Sequence, residues 1–421
     1  MNGIKRLLPR KAALSLMVVG LSATLNVAMV QPASAAPKKA PELRQITYKY
    51  LLKAQEQLAE DDYPAAQASL EHVLGKVSGS KYDKAAVNQM LGVVYANQEQ
   101  FDNALKFFRA SLSEDGLHVP AAQQVRYNLS QLLMMKGEYK EGVEVLLEWM
   151  ANLEEGVAVP ARAWIMLANG YSRLNQWENV IEPATKAIEV SKEPPESWYT
   201  LLLAAHYELK DIPSAIKVLE TLVKIAPEKK KYWLQLSGMN ISIKRDRQAL
   251  AALRAAYRHG LFDKESDYTQ LANFLTYRRV PYQAGIVYQE GLDKGIVEAS
   301  FDNYKRLANF WSHAKESRRA VEAFYEALAL KSDADLQLKL GRMLAQSERF
   351  DELLKLAADP AEGMKDKHTG EMLFLSGMAH YQLGDTRRSL ELMRKAAEIK
   401  SSRGKANSWI GFLEQDLKSS S

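Results

Sequence analysis

The sequence has 421 residues, of which 47% are hydrophobic and 25% are charged, and it contains no cysteine. This composition supports a large apolar core and excludes an intrinsically disordered chain, while the lack of cysteine excludes disulfides, thiol chemistry and cysteine-based zinc sites. The formal charge of +5 is misleading, because four basic and no acidic residues lie in the first 35 positions, and the remainder carries 52 basic against 51 acidic residues. The charge balance therefore gives no case for nucleic-acid binding.

The first 35 residues have the pattern of a secretory leader. A basic start precedes an apolar run over residues 12–30, and Ala33, Ser34 and Ala35 form a small-x-small cleavage site. Residues 36–46 follow as a short spacer that contains proline and lysine. We therefore expect a cleaved signal peptide, a mature chain without a membrane span, and a periplasmic location. The alternative is an uncleaved leader that anchors the chain in the inner membrane.

Helical periodicity extends from residue 47 to residue 404 and is clearest at residues 304–330. Two apolar stripes at helical spacing are separated there by a polar turn at residues 315–317, so the segment is predicted to be a helical hairpin. The stripes are formed by Leu307, Ala308 and Trp311, and then by Ala320, Phe324 and Ala327. We expect Ala308 and Ala320 to let the two helices approach closely, with Trp311 between them.

About ten segments repeat this order of large, small and aromatic residues. The early segments follow one another at steps of 38 residues, and the later ones at 33 to 36 residues. The pattern resembles the tetratricopeptide repeat, a helical hairpin of about 34 residues. This resemblance implies an all-α fold, a right-handed solenoid of stacked hairpins, because one hairpin cannot bury both of its faces alone. Residues 405–421 are expected to form a capping helix and a tail.

A search for catalytic, cofactor and metal-binding motifs is negative. HExxH, GxSxG, GxxxxGK[ST] and GxGxxG are all absent, and none of the seven histidines has metal-ligand spacing. Residues 78–81 spell SxxK, but without the SDN and KTG partner motifs a polar turn between helices is the better interpretation. We therefore expect no enzyme activity, no cofactor, no metal and no small-molecule substrate.

In proteins that resemble this chain, the first helix of each repeat lines a concave groove that binds peptides or partner helices. The polar residues on this first helix are the candidate partner-binding residues: Asn169, Arg173, Asn273, Tyr277, Lys305, Asn309, His313, Lys339 and Arg342. Four of these residues, Lys305, Asn309, Lys339 and Arg342, resemble a carboxylate clamp. Such a clamp holds the terminal carboxylate of a peptide with Lys and Asn side chains. The rest of such a clamp is missing from the neighbouring repeats, and Asp302 adds an opposing charge, so a solvated helix face is the alternative.

The layout of leader, spacer and about ten repeats also resembles a group of periplasmic tetratricopeptide proteins that are encoded beside TonB, ExbB and ExbD in some Gram-negative bacteria. This resemblance implies a non-enzymatic protein-interaction scaffold, an accessory of TonB-dependent outer-membrane transport of iron complexes, with TonB–ExbB–ExbD components as partners. A scaffold of another envelope machine, for polysaccharide export or cell-wall assembly, is the alternative.

Overall fold

The computed structural model describes residues 42–419, which form 21 α-helices and no strand. This architecture confirms the predicted all-α fold, while the right-handed sense of the solenoid stays a prediction. The leader and most of the spacer lie outside the described residues. The chain divides into two compact units, one ending at Leu222 and the other beginning at Val223. None of the helices within residues 42–419 is long and apolar enough to cross a bilayer.

The first unit contains five helical hairpins, each made of two consecutive helices. The helices are α1 (Gln45–Ala59), α2 (Tyr63–Leu74), α3 (Lys81–Asn97), α4 (Phe101–Ser113), α5 (Val119–Lys136), α6 (Tyr139–Ala151), α7 (Ala161–Arg173), α8 (Trp177–Val190), α9 (Glu196–Glu208) and α10 (Ile212–Ile225), whose last residues belong to the second unit. The core of this unit includes a buried cluster built from residues 54–133 and another built from residues 143–167, and α8, α9 and α10 bury further apolar side chains such as Ala184 and Leu219. Each hairpin therefore buries apolar side chains against its neighbours rather than around one centre.

The second unit contains five further hairpins and a final helix. The helices are α11 (Lys230–Ser242), α12 (Asp246–Arg258), α13 (Glu265–Tyr277), α14 (Pro281–Asp293), α15 (Phe301–His313), α16 (Ser317–Leu330), α17 (Ala334–Gln346), α18 (Phe350–Ala358), α19 (Asp366–Gln382), α20 (Thr386–Glu398) and α21 (Arg403–Ser419). One buried cluster extends from Leu253 to Ala379 and includes the fully buried rings of Tyr288 and Phe324. Ala308 and Ala320 are completely buried, as close approach of α15 and α16 requires.

The two helices of every hairpin are joined through a residue in the left-handed region of backbone space, with φ between 56° and 87°. These residues are Asp61, Glu99, Gly137, Asn175, Lys210, Lys244, Arg279, Lys315, Glu348 and Gly384. The next residue donates its N–H to the carbonyl five positions back, for example Glu316 to Trp311 at 2.9 Å. This bond closes a Schellman-type helix end and positions the second helix against the first.

A single buried side chain fixes the loop between α18 and α19. Gln337 of α17 donates from Nε2 to the carbonyl oxygens of Leu356 at 2.9 Å and Asp359 at 2.6 Å. Its Oε1 accepts the N–H of Ala361 at 2.6 Å. The first helix of one hairpin thereby sets where the next hairpin begins.

Candidate functional site

A row of hydrogen-bonded side chains crosses four helices of the second unit. These are α15, α17 and α19, which are the first helices of their hairpins, and the final helix α21. Lys339 of α17 donates from Nζ to Oδ1 of Asn309 on α15 at 2.6 Å. Arg342 of α17 donates from Nε to Oε1 of Glu371 on α19 at 3.4 Å, and the other oxygen of Glu371 accepts from Nζ of Lys405 on α21. We call these five residues the polar ladder. The structure thus brings together three of the predicted residues, Asn309, Lys339 and Arg342.

Three lysines gather at the α15 end of the ladder, around two phenylalanine rings. The Nζ atoms of Lys305 and Lys331 each lie 5.3 Å from the ring centre of Phe301, and Nζ of Lys339 lies 5.2 Å from the ring centre of Phe324. No carboxylate of residues 42–419, Asp302 included, forms an ion pair with any of these lysines. We call Lys305, Lys331 and Lys339 the lysine cluster, and no ion pair within the described residues offsets its positive charge.

The electrostatics differ between the two ends of the ladder. Lys339 is an exposed residue, but its ammonium group lies against Phe324 and Asn309 and has lost part of its water. This burial lowers the pKa of Lys339, and the positive charge of Lys305 lowers it further. At the other end, burial alone would raise the pKa of Glu371, but the hydrogen bond and charge of Lys405, together with Arg342, outweigh burial and lower that pKa. The Glu371 end is therefore neutralised within the chain, whereas the lysine cluster is not.

The other candidates from the sequence make none of the ladder's contacts. They are exposed and comprise His313 on α15, Asn273 and Tyr277 on α13, and Asn169 and Arg173 on α7 of the first unit. Tyr277 stacks on Phe274 of its own helix, with the ring centres 6.1 Å apart.

Lys331, Glu371 and Lys405 are not among the residues predicted from the sequence. Lys331 was hidden because it follows the end of α16 and lies outside any helical stripe. For Glu371 and Lys405 the repeat itself held a signal: Lys305 and Lys339 are 34 positions apart, and Glu371 and Lys405 are also 34 positions apart. Equal register on successive first helices places such residues on one face.

The ladder offers charge recognition rather than covalent chemistry. No group of three or more possible metal ligands occurs in the part of the chain that the structure describes. Within residues 42–419, the bond from Lys339 to Asn309 is the hydrogen bond that the ammonium groups of the lysine cluster donate. A carboxylate is the protein group that would best satisfy them.

Replacing Lys339 with methionine is expected to leave the melting temperature unchanged or to raise it. The lowered pKa means that the charged form of Lys339 costs the folded state free energy below that pKa, and the cost disappears as the pH rises toward the ordinary lysine value of 10.5. Methionine keeps the apolar contact with Phe324 and removes the charge. Thermal melts at pH 7 and pH 10 measure the effect, and a clear loss of stability at pH 7 would contradict it. Lys355→Met on α18 is a control for losing one exposed lysine.

Comparison with known proteins identifies repeats at both ends of the described chain. Residues 51–117 and 90–154 match a tetratricopeptide repeat family model, and residues 370–403 match a second tetratricopeptide repeat model. No protein with a curated description matches the chain.

Several solved structures resemble the chain distantly. A tetratricopeptide repeat protein from Parabacteroides merdae is 12% identical, with 65% of this chain and 100% of that chain covered and a TM-score of 0.37. YrrB, described as a TPR protein with an unusual peptide-binding site, is 14% identical over 45% of this chain and 91% of its own, with a TM-score of 0.35. The Naa15/Naa10 complex bound to HypK-THB is 14% identical over 87% of this chain and 66% of its own, with a TM-score of 0.39. The family matches thus show similarity to tetratricopeptide repeats over residues 51–154 and 370–403.

Proposed function

We propose that the chain is a non-enzymatic scaffold whose lysine cluster and polar ladder bind a carboxylate-bearing segment of a protein partner. The observation that carries this proposal is the lysine cluster, in which three cations share two aromatic rings without a carboxylate. Repulsion between Lys305 and Lys339 disfavours the free protein, and a bound anion would relieve it. A charged group held in an unfavourable state at a surface is a mark of function rather than of stability.

The arrangement suits an extended segment that crosses several helices. Asn309 accepts a hydrogen bond from Lys339 and still has its amide NH₂ to offer to a peptide carbonyl or carboxylate. Arg342 and Lys405 are held by Glu371, which fixes their positions beside the path of such a segment. Ordering an extended segment costs conformational entropy, so a dissociation constant of about 1 μM, or about 8 kcal/mol, is expected.

The partner that we propose belongs to the TonB–ExbB–ExbD system, with the chain as a periplasmic accessory of outer-membrane uptake of iron complexes. Two features of the sequence support this: the Ala33-Ser34-Ala35 cleavage pattern after an apolar run, and the resemblance in layout to periplasmic tetratricopeptide proteins encoded beside that system. A scaffold for polysaccharide export or cell-wall assembly is the second candidate, because it would share the leader and the repeats.

Affinity capture from a crosslinked periplasmic fraction tests the proposal. The wild-type chain is expected to retain a TonB-system component. The double variant Lys305→Ala/Lys339→Ala is expected to retain at least about tenfold less, because the loss of even one charged hydrogen bond costs about 1.5–3 kcal/mol. The double variant Lys355→Ala/Lys400→Ala loses the same charge from exposed positions outside the cluster and should behave as wild type.

Growth of a deletion strain separates the two candidate machines. Loss of the gene should slow growth on siderophore-bound or haem iron and leave growth on free iron salts unchanged. Normal growth on every iron complex, together with capture of another envelope component by the lysine cluster, would reject the TonB assignment and keep the scaffold. Equal capture by wild type and by Lys305→Ala/Lys339→Ala would reject the binding site.

A further inference from the structure

Four aromatic rings form a cluster on α19 and α21, at the end of the polar ladder opposite the lysine cluster. Trp409 contacts Phe374 at 6.4 Å, Tyr381 at 5.6 Å and Phe412 at 5.9 Å between ring centres, and Tyr381 contacts Phe412 at 5.4 Å. All four contacts are edge-to-face, with interplanar angles from 75° to 90°. We call Phe374, Tyr381, Trp409 and Phe412 the aromatic cluster.

The aromatic cluster is not the core of this part of the chain. Phe412 is 48% exposed, and the other three rings are only partly buried. The interior between α20 and α21 is filled instead by smaller side chains with no exposed surface: Met393, Ala396, Ala406 and Leu413. By contrast, the core rings of the same unit, such as Tyr288 and Phe324, have no exposed surface. The four rings therefore present apolar surface, most of all at Phe412, that a ligand can contact.

The charged side chains beside the aromatic cluster indicate the sign of the charge that a bound ligand carries. Nζ of Lys405 lies 4.6 Å from the ring centre of Phe374 and is also paired with Glu371. Along the face formed by the ladder and the lysine cluster, the cations Lys305, Lys331, Lys339, Arg342 and Lys405 outnumber the carboxylates. The carboxylates are Glu371, which pairs with Arg342 and Lys405, and Asp302, which lies exposed three positions before Lys305 on α15. An occupant that continues from the rings along this face must therefore carry negative charge.

We propose that the aromatic cluster docks a proline-rich segment in the polyproline II conformation, whose carboxylates follow the ladder to the lysine cluster. This inference rests on the proposed function and names the class of its partner. Proline rings pack against aromatic edges, and a polyproline II helix is already extended, so it loses little entropy on binding.

The dimensions of such a segment match the face. From α21 to α15 there are three steps between first helices, each of about 8–10 Å, or about 27 Å in all. A polyproline II segment rises about 3.1 Å per residue, so roughly eight to ten residues reach from the aromatic cluster to the lysine cluster. Because this helix has about three residues per turn, acidic residues at every third position form one line that faces the cations.

The chain's own spacer does not fit this description. Residues 36–42 contain Pro37 and Pro41, but Lys38 and Lys39 give them the same sign as the face. The occupant is therefore expected to be a segment of another protein. A peptide of residues 36–46 is accordingly a charge-mismatched competitor.

Isothermal titration of the full chain with three synthetic peptides tests the inference. The peptides are four repeats of Pro-Pro-Glu, four repeats of Pro-Pro-Lys, and four repeats of Gly-Gly-Glu. We expect the Pro-Pro-Glu peptide to bind about tenfold more tightly than either of the others, and the peptide of residues 36–46 not to displace it. Equal binding of the Gly-Gly-Glu peptide would mean recognition of charge alone, and equal binding of the Pro-Pro-Lys peptide or displacement by residues 36–46 would mean that the charges do not select. Either result overturns the inference.

Variants of Phe412 locate the binding. Because this side chain is half exposed, the Phe412→Ala variant should fold, which circular dichroism will show. The substitution should weaken binding of the Pro-Pro-Glu peptide about tenfold. Phe412→Tyr keeps the ring and should bind as wild type. Tyr207→Ala removes a ring that is 47% exposed on α9, a first helix of the first unit, and should change nothing. If Phe412→Ala binds as wild type while Lys305→Ala/Lys339→Ala still loses partner capture, the aromatic inference fails and the proposed function stands.

Discussion

Replacing Trp311 with alanine is expected to lower the free energy of unfolding by about 3–5 kcal/mol, the range for large aromatic side chains removed from packed cores. Trp311 is only 2% exposed. It meets Tyr282 of α14 edge-to-face at 5.7 Å, and the guanidinium of Arg319 on α16 lies 4.7 Å from its ring centre. The indole therefore joins two hairpins, and its loss removes contacts on both sides.

Hydrogen exchange resolved along the chain measures this effect. Amides of α14, α15 and α16 should lose protection first, while helices of the first unit keep theirs, because each hairpin is stabilised chiefly by its neighbours. Uniform loss of protection from α1 to α21 would contradict the repeat architecture. Tyr277→Ala removes an exposed ring from the same unit and should cost less than about 0.5 kcal/mol.

Replacing Gly285 with alanine is expected to destabilise the protein by about 1–3 kcal/mol through overpacking. A Cβ at this position on α14 would lie 2.6 Å from two carbons of the Trp311 ring. The indole of Trp311 therefore occupies the space that a side chain at Gly285 would need. Gly238 on α11 is a matched control, since a Cβ there meets nothing within 4 Å. Gly238→Ala should stabilise by up to about 1 kcal/mol, as helix propensity predicts.

A double-mutant cycle tests the coupling between these two residues. In a chain that carries Trp311→Ala, the added methyl group of Gly285→Ala has room and should no longer destabilise. Urea unfolding of the wild type, the two single variants and the double variant gives the four free energies. Additive effects of the two substitutions would show that Gly285 and Trp311 do not contact each other.

Helical periodicity was sufficient to predict the fold class and the hairpin at residues 304–330, because its apolar positions recur on one side of each helix. The structure places α15 and α16 in that segment and puts the turn at Lys315, whose φ is 60°. The placement of Trp311 between the two helices of one hairpin was incomplete, since the ring also packs on α14. Spacing within one hairpin carries no information on which neighbour a large side chain contacts.

The ten turns within the hairpins could not be predicted from residue type alone. Of the ten left-handed residues that join the two helices of a hairpin, Gly137 and Gly384 are glycines, and the rest include Lys, Arg and Glu, which carry no turn signal. Their conformation is imposed by the Schellman bond and by packing of the two helices. The buried Gln337, whose three bonds fix a loop, was equally hidden, because a polar residue inside a helical stripe does not reveal its partners.

For the candidate site, helical periodicity predicted that Lys339 and Arg342 lie on the first helix adjacent to that of Lys305 and Asn309, and Lys339 does donate a hydrogen bond to Asn309. It did not exclude Asn169, Arg173, Asn273, Tyr277 or His313, which share the register but make none of the ladder's contacts. Exposure alone therefore does not define a site. The distinguishing feature is the lysine cluster, which depends on side-chain distances that the sequence does not contain.

Site-specific photo-crosslinking in cells tests the central claim, that the first-helix face of the second unit binds the partner. The photoreactive residue p-benzoylphenylalanine replaces either His313, exposed at the end of α15, or Glu326, exposed on the second helix of the same hairpin. We predict a crosslinked partner from position 313, none from position 326, and loss of the product in a chain that also carries Lys305→Ala/Lys339→Ala. A product from position 326 alone, or one from position 313 that survives removal of both lysines, would contradict the claim.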